Sequence, residues 1–130
     1  MRPDAPSLTA AGVAAARAVL ERPSTPTGDP DADDRLTASL ATASAGDTAR
    51  PRERPHEFLR YIAVRTRFFD DAVTRAIDDG IRQIVLLGAG YDGRALRFRT
   101  PGVRFFEVDH PATQRDKRAR LDTLGIDRHD

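Results

Sequence analysis

The chain has 130 residues, of which 39% are hydrophobic and 32% charged, and its formal net charge is +1. This length predicts one globular domain, and the balanced charge predicts no nucleic-acid partner. Cysteine is absent, which excludes disulfides, thiolate metal sites and a cysteine nucleophile and fits a cytoplasmic protein. We expect no membrane partner, because no apolar run approaches the roughly 20 residues of a membrane span and no signal peptide is visible.

Residues 1–54 are predicted to form an N-terminal extension of helices and loops. An alanine-rich stretch there ends at Pro23 and is typical of a helix. A stretch rich in proline, glycine and aspartate follows without a period and indicates a loop. The predicted elements, in chain order, are a helix at 9–22, a loop at 23–34, a weak helix at 35–43 and a basic connector at 47–54.

The longest helical pattern runs over residues 55–79. At 100° per residue, one side of this helix carries an apolar stripe. The stripe contains Phe58, Ile62, Phe69, Ala72, Val73 and Ala76. Arg65 lies near the centre of the stripe, where an uncharged residue is expected. Gly80 suits the end of the helix.

Beyond this helix the chain alternates between strand and helix patterns. Residues 84–87 form a continuous apolar run, which is typical of a strand in a parallel sheet. Residues 91–98 can form a short helix, residues 103–108 predict a second strand, and residues 111–125 predict a helix that begins with Pro111. Strands that alternate with helices predict an α/β fold with a parallel sheet.

The first strand runs into the pattern G-x-G-x-x-G, formed by Gly88, Gly90 and Gly93. Glycine lets the backbone turn tightly and approach a ligand, and ligands bind beyond the carboxyl ends of parallel strands. Asp109 ends the second strand, about 20 residues after the loop, a spacing at which an acid commonly accepts hydrogen bonds from ribose hydroxyls. The pattern therefore predicts a site for an adenosine-containing cofactor. An ordinary strand-to-helix turn is the alternative interpretation.

NAD and S-adenosylmethionine both contain adenosine, so the loop and Asp109 fit either cofactor. Asp92 favours S-adenosylmethionine, because a carboxylate in the loop repels the pyrophosphate of a dinucleotide, whereas S-adenosylmethionine carries an ammonium and a sulfonium. Arg65 fits the carboxylate of the methionine moiety. The alternative for Arg65 is an internal salt bridge. Three acids are the candidates for that bridge: Asp70, Asp71 and Glu107.

Three stretches resemble the leucine carboxyl methyltransferase superfamily, above all its bacterial S-adenosylmethionine-dependent members, which include polyketide O-methyltransferases. These stretches read "YIAVRTRFFDDAV", "GIRQIVLLGAGYDGRALRF" and "VRFFEVDHPATQRDK". The resemblance covers most of residues 8–126. It implies an α/β fold that is the N-terminal part of a class I, Rossmann-like methyltransferase, with residues 55–130 as the first half of the domain that binds S-adenosylmethionine.

The resemblance also implies roles for five cofactor-binding residues. Arg65 matches the arginine that holds the cofactor carboxylate, and Asp109 matches the acid that holds the ribose. Gly88 and Gly90 match the glycines of the cofactor loop. Asp92 matches the aspartate of the element GAGxD.

The chain departs from the family pattern in one loop residue and in length. Gly93 stands where the family usually has threonine or serine. The family's sheet has about seven strands, more than the six of a dinucleotide fold, whereas two are predicted here. We therefore expect a truncated chain with an incomplete sheet, and the candidate partners are an oligomer or a missing C-terminal half. No residue is nominated as catalytic.

The predicted function is methyl transfer from S-adenosylmethionine to an oxygen of a small-molecule acceptor, with a carboxylate as the candidate. One alternative is a fragment of an NAD(P)-dependent Rossmann oxidoreductase. Another is an inactive remnant or interaction module that pairs its open sheet edge with another chain. No metal site is predicted, because His56, His110 and His129 form no ligand spacing, and His110 is expected to be a loop residue.

Overall fold

The computed structural model describes residues 5–44 and 56–127. The elements of this part of the chain are α1 (Leu8–Arg17), α2 (Pro30–Ser44), α3 (His56–Asp78), β1 (Gln83–Leu87), α4 (Arg94–Arg97), β2 (Arg104–Val108) and α5 (Pro111–Thr123). None of the helices described is long and apolar enough to cross a membrane.

Strands β1 and β2 form a two-stranded parallel sheet, with Val85 opposite Phe106 and Leu87 opposite Val108. Parallel strands require a crossover connection, and the short helix α4 lies within it. The mixed α/β architecture agrees with part of a Rossmann-like methyltransferase fold. The predicted fold class, with a parallel sheet, is therefore confirmed.

Helix α1 is shorter than predicted. It begins after Ser7, whose side chain accepts a hydrogen bond from the backbone of Ala10, and it ends at Arg17. The serine satisfies a backbone N–H that the first turn of a helix leaves without an intrahelical partner. The prediction that this helix runs on to residue 22 was wrong.

Helix α2 begins at Pro30, within the stretch predicted as a loop. Asp29 Oδ1 accepts a hydrogen bond from Ala32 N at 2.9 Å, so Asp29 caps the helix. Proline suits the first helical position because its missing N–H is not needed there. The loop prediction over 23–34 was therefore wrong from residue 30 onward, and the weak helix at 35–43 is part of a longer one.

Helices α1 and α2 pack against the second half of the chain. Two clusters of buried apolar side chains join them to α4, α5 and the loop after β1. The clusters are Ala32, Leu36, Leu96, Leu121 and Ile126, and Ala14, Leu40 and Tyr91. The predicted boundary between residues 54 and 55 lies outside the described residues, as does the connector at 47–54, and the domain division stays a prediction.

Helix α3 buries a face that overlaps only in part with the predicted stripe, at Ile62 and Val73. Its buried residues are Ile62, Thr66, Asp70 and Val73, while Phe69 is 44% exposed and Arg65 is exposed. The predicted stripe was wrong at Phe69, because two polar side chains take the buried positions beside it. The helix ends at Asp78, and Gly80 follows two residues later with a φ of +86°, a conformation that glycine adopts without strain.

The two faces of the sheet differ in how they are covered. Four apolar side chains of one face are between 44% and 79% exposed. These are Val85, Leu87, Phe106 and Val108, and we call this surface the bare sheet face. The alternate side chains, such as Leu86 and Phe105, are half-buried on the other face. Parallel sheets normally have both faces covered, so the described residues cover one side only.

Candidate functional site

A cleft of about 540 Å³ lies at the carboxyl ends of β1 and β2, between α1, α3 and the loop that follows β1. This volume is in the range of about 300–1,000 Å³ that is usual for small-molecule sites. The cleft brings together all five residues predicted to bind a cofactor. They are Arg65, Gly88, Gly90, Asp92 and Asp109.

The glycine loop (residues 88–93) turns away from β1 through two left-handed glycines. Gly88 has φ +63° and Gly90 has φ +54°, a backbone conformation that other residues adopt at a cost. Gly90 N donates to Asp109 Oδ2 at 2.7 Å, and His110 N donates to Asp109 Oδ1 at 2.5 Å. Asp109 therefore links the end of β2 to the loop after β1.

His110 serves as a cap of α5. Its Nδ1 accepts a hydrogen bond from Ala112 N at 3.3 Å. Over the described ranges 5–44 and 56–127, no group of three histidine, cysteine or acidic side chains is placed to hold a metal ion. The imidazole of His110 therefore has a structural role at the start of the helix.

Asp92 is held by two arginines beneath the loop. Its Oδ1 accepts from Arg94 N at 2.8 Å, and its Oδ2 pairs with Arg94 Nη1 and with Arg17 Nη1, the latter at 3.1 Å. Burial by itself would raise the pKa of Asp92, but the charges of Arg17 and Arg94 and the backbone N–H outweigh it and lower the pKa. The carboxylate is therefore ionised and surrounded by donors.

Asp92 belongs to a chain of eight alternating charges, which we call the ion-pair chain. In order of contact it is Asp34, Arg22, Asp33, Arg97, Asp70, Arg94, Asp92 and Arg17. The central link is Asp70, which lies 3.0 Å from Arg97 Nη2 and 2.8 Å from Arg94 Nε. The ion-pair chain joins α1, α2, α3 and α4 under the glycine loop. Because every member has an opposite charge beside it, the cost of burying these groups is offset.

Asp33, a member of the ion-pair chain, explains why position 93 is a glycine. A Cβ atom at this position would overlap with the carboxylate of Asp33, which reaches up from α2. The residue that departs from the family pattern is therefore a glycine because an acid of α2 occupies the space that a serine or threonine would need. Sequence patterns alone do not reveal this contact, because Asp33 lies 60 residues earlier in the chain.

Arg65 has no anionic partner among the residues that the structure describes. Its guanidinium lies over the ring of Phe69, 5.6 Å from the centroid. Two of the acids considered as its partners are engaged elsewhere, since Asp70 pairs with arginines of α4 and Glu107 pairs with Lys117. The internal salt bridge expected as the alternative for Arg65 is therefore not formed with them, and the arginine is available to a ligand.

The sequence reasoning assigned α1 no part in the site, yet one side of this helix lines the cleft with Ala10, Val13 and Arg17. These positions share a helix face, because residues three and four apart do so. Ala10 approaches the loop so closely that a Cβ on Gly90 would lie 2.9 Å from its own Cβ. The spacing of these three residues on one helix face is the signal in the sequence that could have indicated this role.

Comparisons with known proteins give matches over most of the chain. The family model described as leucine carboxyl methyltransferase matches residues 10–130. A protein of Frankia alni is 46% identical in an alignment of 103 positions, which covers 73% of this chain and 34% of the relative. A protein of Mycobacterium ulcerans is 40% identical in an alignment of 131 positions, gaps included, which covers 90% of this chain and 42% of the relative. Both are named "Putative S-adenosyl-L-methionine-dependent methyltransferase". The chain spans less than half the length of these relatives.

Proposed function

The chain belongs to the leucine carboxyl methyltransferase family, as its motifs predicted, and we propose that its cleft binds S-adenosylmethionine for methyl transfer to an oxygen of a small-molecule acceptor. The observation that carries the proposal is the combination, in one cleft, of a glycine loop, an acid at the end of a strand and an arginine that has no ion pair among residues 5–44 and 56–127. The arginine suits the carboxylate of the cofactor, the acid suits its ribose, and the glycines let the protein backbone come close to it.

Arg65 is the proposed partner of the cofactor's carboxylate. A guanidinium can donate two parallel hydrogen bonds to a carboxylate. Because Arg65 has no ion pair with another described residue, it loses no internal salt bridge when a ligand binds. Its contact with the ring of Phe69 leaves the edge of the guanidinium free to donate.

Asp109 is the proposed partner of the ribose hydroxyls. Its carboxylate accepts from two backbone N–H groups, and an ionised carboxylate has about four acceptor positions. It therefore keeps capacity for two more donors. We propose Gly88, Gly90 and Asp92 as the remaining cofactor-site residues, in the loop that the cofactor approaches.

The hydrogen bonds of the loop support S-adenosylmethionine over a dinucleotide. A pyrophosphate normally accepts from free N–H groups of the glycine loop and the helix that follows. Here Gly90 N donates to Asp109 and Arg94 N donates to Asp92, and α4 has only four residues. A pyrophosphate would have to replace two carboxylates on these donors, so the NAD(P) alternative is not favoured.

S-adenosylmethionine, when bound, would supply a methyl group on a positively charged sulfur, and that sulfur would keep the electrons of the broken carbon-sulfur bond as the acceptor oxygen bonds to the methyl carbon. The chain's own residues would hold the two ends of the cofactor, Arg65 at the carboxylate and Asp109 at the ribose. This fixes the direction of attack. We propose a carboxylate acceptor, which is already ionised at neutral pH and needs no general base.

The bare sheet face supports a further part of this proposal, namely that the working domain contains helices that cover Val85, Leu87, Phe106 and Val108. Native mass spectrometry of the protein from its source tests this. A chain heavier than 14.3 kDa with bound cofactor, or a discrete oligomer with bound cofactor, supports it. A bare monomer of 14.3 kDa contradicts it, and an oligomer that binds no cofactor favours the interaction-module alternative.

The binding proposal is tested by calorimetric titration of the chain with S-adenosylhomocysteine and, separately, with NADH. We expect S-adenosylhomocysteine alone to bind. Arg65→Gln should weaken that binding by about tenfold or more, because a hydrogen bond to a charged group contributes about 1.5–3 kcal/mol.

Arg67→Gln is the matched control, because Arg67 is another exposed arginine of α3 and does not line the cleft. It should leave the Kd unchanged, with circular dichroism confirming that both variants are folded. Tighter binding of NADH, or equal effects of the two substitutions, would contradict the proposal.

A further inference from the structure

Arg17, the last residue of α1, donates hydrogen bonds to two consecutive residues of the glycine loop. Its Nη1 donates to Asp92 Oδ2 and its Nη2 donates to the backbone oxygen of Tyr91, both at 3.1 Å. The side chain is 12% exposed, and burial lowers the pKa of its guanidinium although the charge of Asp92 opposes this. One buried cation thus holds both the side chain of one loop residue and the backbone of its neighbour.

Helix α1 lies across the glycine loop on the side of the cleft. At its start, Ala10 packs against Gly90, and at its end Arg17 holds residues 91 and 92. Val13 lies between them and also lines the cleft. The helix therefore forms one wall of the cleft, and it meets the loop through an apolar contact at one end and a charged contact at the other.

Asp92 is the loop residue whose side chain contacts α1, through Arg17. Its two oxygens already accept from Arg94 N, Arg94 Nη1 and Arg17 Nη1. A carboxylate with these donors and two adjacent positive charges has little capacity left for a ligand. Its effect on the cleft is therefore exerted through the groups that it holds in place.

We propose that Arg17 is a positioning residue of the cofactor site, which docks α1 on the glycine loop through Asp92 and thereby sets the width of the cleft. This inference rests on the proposed function for the identity of the ligand. It assigns a role to α1, which does not belong to the strand-loop-strand core, and it makes Asp92 an indirect contributor to cofactor affinity.

The test compares Arg17→Gln, Arg17→Lys, Asp92→Asn and the double variant Arg17→Gln/Asp92→Asn. The probe is S-adenosylhomocysteine in calorimetric titration, well below the unfolding midpoint of each variant. Arg17→Gln and Asp92→Asn should each raise the Kd by about tenfold, and Arg17→Lys should recover part of the loss. The double variant should show clearly less than the product of the two single effects, since both break the same contact.

Arg22→Gln is the matched control, because the side chain of Arg22 is also largely buried in the same ion-pair chain but contacts Asp33 and Asp34, which do not line the cleft. It should lower stability and leave the Kd at the original value. A purely structural role for Arg17 would give the two arginine variants the same Kd. That result, or independent effects of Arg17 and Asp92, would overturn the inference.

A ligand-free measurement separates failure of the inference from failure of the proposed function. Hydrogen exchange of the amides of residues 88–93 should be faster in Arg17→Gln than in Arg22→Gln. If the unsubstituted chain binds no S-adenosylhomocysteine but this difference is found, the proposed function fails and the docking role of Arg17 stands. If exchange in the loop is the same in both variants, the docking role is wrong.

Discussion

The two sides of the glycine loop differ in whether their charged side chains have partners of opposite charge. Beneath the loop, the ion-pair chain gives each arginine and aspartate a partner of opposite sign. In the cleft above it, Arg65 has no ion pair with any other described residue. Arg94 and Arg65 both lie near the same cleft, but their partners differ. The charges that join the helices are satisfied within the chain, whereas the arginine proposed to bind the ligand has no ion pair among the described residues.

Removing the charge of Asp70 should have the largest effect on the paired side. Asp70 is 1% exposed and lies between two arginines of α4. Asp70→Asn keeps the size of the side chain but leaves Arg94 and Arg97 with less compensation, so we expect a loss of about 3–5 kcal/mol in the free energy of unfolding. Urea-induced unfolding followed by circular dichroism measures it.

Asp71→Asn is the control for this prediction, because Asp71 is the exposed neighbour on the same helix. Its effect should stay within about 0.5 kcal/mol, as for most surface substitutions. Similar losses for the two variants would show that the buried pairs contribute little, and the contrast between the two sides of the loop would then be lost.

A side chain at position 93 should have the next largest effect. In Gly93→Ala the new Cβ overlaps with the carboxylate of Asp33, and overpacking of this kind typically costs about 1–3 kcal/mol. Asp33→Ala removes the overlapping atoms but also a partner of Arg97. The double variant should therefore lose less than the sum of the two single losses in urea unfolding. Strict additivity would mean that the two residues do not touch.

Most of the elements could be predicted from local patterns. The elements α3, β1, β2 and α5 lie within two residues of their predicted bounds, because periodicity and proline or glycine at the ends are local signals. Helix α2 was mispredicted although its start carries a recognisable signal, an aspartate cap followed by Pro30. There the composition of the stretch was given more weight than its capping residues.

Motifs in the sequence predict the residues of the candidate site, but they do not predict the ion-pair chain beneath it. The loop glycines and Asp109 follow from strand and loop chemistry, and Arg65 stands out because its charge interrupts an apolar stripe. The ion-pair chain joins residues such as Asp33 and Arg97, which are 64 positions apart, and no period reveals such a pairing. Asp70 and Arg17 could therefore be recognised only once the helices were packed.

The smallest expected effect separates two acids within the ion-pair chain by pH. The charges of Arg17 and Arg94 hold the pKa of Asp92 below its ordinary value of 3.8 despite burial. Burial raises the pKa of Asp33 above 3.8, although Arg22 and Arg97 oppose this. Asp92 therefore contributes stability that is present above pH 3.8 and lost as the pH falls through its lowered pKa. Asp33 contributes less as the pH rises through its raised pKa.

Urea unfolding of the unsubstituted chain, Asp92→Asn and Asp33→Asn between pH 3 and pH 6 measures both contributions. The free energy of unfolding of the unsubstituted chain minus that of Asp92→Asn should grow as the pH rises from 3. The same difference for Asp33→Asn should shrink as the pH rises through the window just above 3.8. Each pKa unit corresponds to about 1.4 kcal/mol, so differences of this order or less are expected. Slopes of the same sign would contradict the opposite pKa shifts, in which arginines and a backbone N–H outweigh burial at Asp92, whereas burial outweighs the arginines at Asp33.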